Sequence, residues 1–92
     1  MHEQIEASGL PGGNASIQLL ADAGDEGRTD DVFIIVNTFV AQYRHNYVKL
    51  NGSGSELDEE LQVQCTRDTK QFIADAAKRV EEMRAWRGRG MH

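Results

Sequence analysis

The chain is poor in several things that would define a function class. Its single cysteine, Cys65, rules out an intramolecular disulfide framework and a multi-cysteine zinc site. Its single proline, Pro11, leaves glycine as the main marker of element boundaries. No apolar run approaches the ~18 residues that a membrane-spanning helix needs, so no membrane insertion is expected. The amino terminus also lacks the basic-then-apolar layout of a secretory signal, which points to a cytoplasmic protein. Bases are scarcer than acids, ten against fifteen, and the net charge of −5 argues against nucleic acid as a partner. What remains in 92 residues, 39% hydrophobic and 27% charged, is one small acidic domain of ordinary composition.

Charge and glycine divide the chain. Residues 1–31 hold seven acids and one base, residues 32–55 hold no acid, and residues 56–92 mix eight acids with seven bases. Glycines cluster at 9–13, 24–27, 52–54 and 88–90 and mark the element boundaries. Residues 1–13 and 88–92 are expected to be flexible ends around one helical domain, 14–87.

The clearest helix spans 31–50. Thr29 and Asp30 offer an N-cap oxygen, and Asp30 and Asp31 suit the positive end of the dipole. Phe33, Val36, Val40, Tyr43, Tyr47 and Leu50 follow at steps of 3, 4, 3, 4 and 3, a heptad-like seam. Val32, Ile35 and Phe39 add a second stripe beside it. A break at 51–55 suits an antiparallel hairpin, with Ser55 and Asp58 spaced as a capping box. The next helix, 56–86, carries Leu57, Leu61, Cys65, Thr69, Phe72, Ala76, Val80 and Met83 inward, widened by Ile73 and Ala77. Acids open it and arginines close it, in the order the dipole favours. Asp75 and Arg79 form an acid-before-base i, i+4 pair.

Two helices of this size bury too little to be stable alone. The missing cover is sought at 16–23, where Ile17, Leu20 and Ala21 share a face and Gly24 follows as a stop. The fold class is therefore all-α: an antiparallel helical hairpin, completed to a small three-helix bundle by this short helix or by a partner.

No catalytic constellation is present, and the chain reads as a non-enzyme. There is no GxSxG, no phosphate loop ending in Lys-Ser or Lys-Thr, and no nucleophile at a recognisable spacing from a base. No cofactor is implied. His2 and His92 lie at the ends and His45 lies off the seam. The stretch from Asp22 puts Gly27 at position 6 of a calcium loop, but position 12 is Phe33 where a bidentate Glu is required, so no metal is expected. Cys65 sits on the inner seam as a structural thiol. Asn14-Ala-Ser16 and Asn51-Gly-Ser53 match the glycosylation sequon without a secretory signal. Arg84, Arg87 and Arg89 read as a helix end answering its dipole.

The candidate function is contact with a protein partner, or self-association, through an apolar helical face. The candidate partner-binding residues are Val32, Ile35, Phe39, Tyr43, Arg44, Tyr47 and Trp86, since aromatic residues and Arg are common interface anchors. The favoured reading of the two tyrosines is packing on the hairpin with their hydroxyls at its edge. Trp86 either closes the bundle or anchors a partner.

The residues Phe39-Val40, Arg44, Tyr47-Val48, Leu57, Asp68, Phe72-Ile73, Val80 and Met83 give Val36 to Met83 a pattern similar to the amino-terminal region of the endoplasmic-reticulum syntaxin family (syntaxin eighteen). It covers about half the chain. The loop is shorter than in that family, residues 1–30 show no clear match, and no SNARE heptad region or membrane anchor follows. The resemblance implies a regulatory or tethering module in membrane trafficking that binds through a helical face, and it assigns no binding residue. The alternative is a small dimeric regulator or chaperone-like helical protein of microbial or viral origin.

Overall fold

The computed structural model describes residues 13–90, with side chains for 13–88. The expected flexibility of residues 1–12, 91 and 92 lies outside these. The described chain is all helical: α1 spans Asn14–Asp25, α2 Thr29–Asn51 and α3 Ser55–Gly90. Each helix packs on the other two, so the short first helix docks and the hairpin is completed within the chain.

The helix ends differ instructively from the glycine punctuation. Gly24 does not stop α1; it is helical and lies within the last turn. Termination occurs at Gly27, whose φ of 73° lies in the left-handed region that glycine enters without penalty. There Gly27 N–H donates to the Gly24 carbonyl (3.2 Å) and Arg28 N–H to that of Ala23 (2.9 Å). These paired bonds are a Schellman ending, which satisfies carbonyls a bare helix end would leave open. At α2, no side chain supplies the cap expected of Thr29 or Asp30, because Thr29 is already helical and Arg28 occupies the cap position. Asp31 instead accepts from Arg28 Nη1. Ser55 is likewise inside α3, where Asp58 N–H donates to the Gly54 carbonyl at 2.8 Å.

At the far end α3 continues through Gly88 to Gly90, where a flexible tail was expected. Its 36 residues make a helix of ~54 Å, close to the molecule's longest dimension of 56 Å. α2 is ~35 Å long and α1 only ~18 Å. α1 runs parallel to α3, and its carboxyl end lies near the carboxyl end of α3.

The core lies where all three helices meet. Leu20 and Ala21 of α1, Phe39 of α2, and Phe72 and Ala76 of α3 are buried together. Phe39 and Phe72 stack, with ring centroids 4.3 Å apart and planes 9° from parallel. Ala21 and Ala23 are fully buried, so small side chains let α1 approach closely. Towards the hairpin loop, Leu61 and Cys65 are buried as the inner seam of α3 predicts.

The seam of α2 is displaced. Its expected first and last members, Phe33 and Leu50, are 69% and 78% exposed. The inward face keeps Val36, Val40 and Tyr43 of that seam and adds Val32, Ile35 and Phe39 of the second stripe. The physical reason is α1, which docks beside α2 and makes the supposed second stripe the centre of the core. A two-helix pattern cannot register that shift.

Candidate interaction surface

Polar contacts fasten α1 to α3. Gln18 accepts from Arg79 Nη1 at 2.7 Å and donates to Asp22 at 2.9 Å and to the Met83 sulfur at 3.3 Å. Arg79 therefore turns to α1 and, at 3.8 Å, to Glu82. It does not pair with Asp75, whose carboxylate accepts from Gln71. At the end of α1, Asp25 receives Arg84 Nε at 2.9 Å and Arg87 Nη2 on both oxygens, at 3.0 and 2.9 Å. Its side chain is 10% exposed. The Arg84 hydrogen bond is the main reason its carboxyl titrates below its ordinary value; burial opposes this, and Arg87 adds to the lowering. Arg84 and Arg87, expected to answer only a helix dipole, thus make specific bonds.

Across the hairpin, Tyr43 donates its hydroxyl to Asp68 Oδ2 at 2.6 Å. Burial and the neighbouring carboxylate together push its hydroxyl up to about 12, so it is a neutral donor. Cys65 is buried, with its sulfur 3.8 Å from the Thr69 hydroxyl. Among the described residues no three His, Cys, Asp or Glu side chains are grouped to hold a metal ion, and no helix is long and apolar enough to cross a membrane.

Open clefts flank α2. One, between α1 and α2, encloses about 300 Å³ between Ser16 and Leu19 on one side and Ile34, Ile35 and Thr38 on the other, over Phe39 and Phe72. Leu19 and Ile34, at its rim, are each 59% exposed. Another, of about 420 Å³, lies along the α2–α3 seam, with Val32 and Val36 facing Ile73, Ala77 and Val80. Ile73 is 45% exposed there.

The structure divides the candidate residues among three settings. Phe39 is a core residue, its ring held by Phe72, and is not available as a docking anchor. Val32 and Ile35 are half-buried against the same core while presenting an edge to a cleft each. Tyr43 is committed to Asp68, and Tyr47 is half-buried. Arg44 is exposed near the seam, and Trp86 stands 66% exposed near the end of α3. These seven residues therefore do not form one patch. The periodicity missed Leu19 and Ile34 as rim residues and placed Phe33 inside. The available signal was the run Val32 to Val36: five consecutive apolar residues go more than once around a helix, so some must face outward.

No protein-family model, curated protein or solved structure matches the chain.

Proposed function

We propose that the chain is a non-enzymatic, cytoplasmic protein-interaction module whose α1–α2 cleft receives an amphipathic segment of a partner protein. The observation that carries this reading is the pair Leu19 and Ile34. Both are aliphatic, both are 59% exposed, and they rim a cleft floored by the stacked phenylalanines. Exposed aliphatic residues grouped around a concavity are common at docking sites. The cleft's polar lining is neutral, Ser16, Thr38 and Gln42, which suits an apolar anchor better than a charged ligand.

We place this role in membrane trafficking, as in the amino-terminal region of the endoplasmic-reticulum syntaxin family. In support, Phe39, Phe72, Val80 and Met83 of the shared pattern are core or core-packed, and Asp68 ties the hairpin through Tyr43. Part of the matching set therefore builds the fold, while Arg44, Val48 and Ile73 of the same pattern are exposed.

The test is a photo-crosslinker at Ile34, with the captured proteins identified by mass spectrometry and the capture repeated with Leu19→Glu. The reading expects trafficking components that disappear in the variant, while circular dichroism shows an unchanged helix content. Capture that survives Leu19→Glu refutes the site. Capture confined to proteins outside trafficking refutes the cellular role.

A further inference from the structure

Asn51 closes α2 and is followed by the one residue type that leaves an asparagine side chain open to its own backbone. The chain has four asparagines, Asn14, Asn37, Asn46 and Asn51, and only Asn51 precedes a glycine. The Cγ of an asparagine is open to attack by the backbone nitrogen of the next residue, and a glycine there, having no Cβ, leaves that nitrogen unhindered. A Cβ added at Gly52 would meet nothing within 4 Å, so the space such a ring needs is free. Asn51 itself is exposed.

The fold holds the two reacting groups apart. Gly52 N–H donates to the Val48 carbonyl at 2.8 Å, which keeps its proton in place. Asn51 Nδ2 donates to the Tyr47 carbonyl at 3.2 Å, which draws the carboxamide back along the helix and away from Gly52. Asn51 is also the last helical residue of α2, and a helical ψ of about −42° does not bring the Gly52 nitrogen into the plane of the ring to be formed. These restraints share one weak point, the final turn to which both bonds belong. Val48 and Leu50 of that turn are 42% and 78% exposed. So little apolar packing holds it that it opens at far lower cost than the whole fold.

We infer that Asn51 is a self-modification site, closed while the last turn of α2 is formed and reactive each time that turn frays. In the open turn the Gly52 nitrogen gives its proton to solvent base and bonds to Asn51 Cγ; the Cγ–Nδ2 bond breaks and ammonia leaves. The cyclic imide then takes up one water. Opening at Cγ gives aspartate, and opening at the main-chain carbonyl gives isoaspartate, with no change of oxidation state in either case. Each product carries a carboxylate at the negative end of the α2 dipole and has no side-chain N–H for the Tyr47 carbonyl. The closed turn is therefore not rebuilt as it was, and the end of α2 loosens in one direction only.

The full chain, incubated at mildly alkaline pH both folded and in guanidinium chloride, tests the inference. Conversion is followed by intact mass and located by peptide mapping with detection of isoaspartate. It is expected at Asn51 ahead of the other three asparagines, and about tenfold or more slower in the folded chain. Lys49→Gly, at an exposed position of the same turn, lowers helix propensity and should speed the folded reaction about threefold while leaving the unfolded rate unchanged. Asn51→Gln should remove the signal from both samples, since the longer side chain has to close a larger ring. Equal rates in the folded and unfolded wild type overturn the proposal, because the turn then gates nothing. So does a folded rate that Lys49→Gly does not raise, a folded chain that does not convert, or conversion centred on Asn14, Asn37 or Asn46.

Discussion

The stacked pair Phe39 and Phe72 should dominate stability. They are 6% and 3% exposed, and they join α2 to α3 at the level where α1 covers them. A truncation of either ring to Ala leaves a cavity between three helices and should cost about 3–5 kcal/mol. About 80 ordered residues typically give about 4–12 kcal/mol in all, so Phe39→Ala removes a quarter of the stability or more. At roughly 4–8 °C per kcal/mol in a domain this size, the midpoint should fall by ~12–40 °C. The milder pair Phe39→Leu and Phe72→Leu isolates the stack, since leucine keeps most of the apolar volume. Each alone should cost about 1–2 kcal/mol. Their urea unfolding, followed by circular dichroism, should then show a coupling of about 0.5–1.5 kcal/mol in a double-mutant cycle. Leucine variants additive to within about 0.3 kcal/mol would falsify the stack as a specific contact. A cost below 1 kcal/mol for Phe39→Ala would place the ring outside the core.

Two glycines close together in sequence should respond oppositely to alanine. Gly24 is helical and an added Cβ meets nothing within 4 Å, so Gly24→Ala should stabilise by about 0.5–1 kcal/mol in thermal unfolding. Gly27, at φ 73°, should lose about 1 kcal/mol on the same substitution; a gain there would refute the Schellman ending. The latch at Asp25 should open in acid. Its carboxyl titrates below the ordinary 3.8 in the fold, so its contribution is complete above that pH and is lost as pH falls through the lower, folded value. Hydrogen exchange across 20–25 should accelerate in that window, and Asp25→Asn should remove the dependence. Unaltered exchange in the variant would mean that apolar packing alone holds α1.

The inner seam of α3 was legible because it obeys one rule over its whole length: a long helix against a fixed neighbour buries every third or fourth residue. Leu61, Cys65, Phe72 and Ala76 follow it. The face of α2 was not legible to the same rule. Val32 to Val36 is apolar all round, and its orientation depends on where α1 docks. The candidate surface suffered most. Its strongest nominee, Phe39, is the residue the core needs, and the exposed Leu19, Phe33 and Ile34 resemble core residues in any one-dimensional reading.

Composition and periodicity by themselves determined the all-α class, the order of three helices, the hairpin and the need for a third element, since these follow from local spacing and from how little area two helices can bury. Only the tertiary structure decided where each helix stops and which stripe of α2 faces in. It also decided which bases of α3 are bound to α1. The helix stops follow from left-handed backbone at Gly27 and helical backbone at Gly24. The remaining choices depend on long-range contacts such as those of Arg84 and Arg87 with Asp25, across about sixty residues of sequence, which no local pattern encodes.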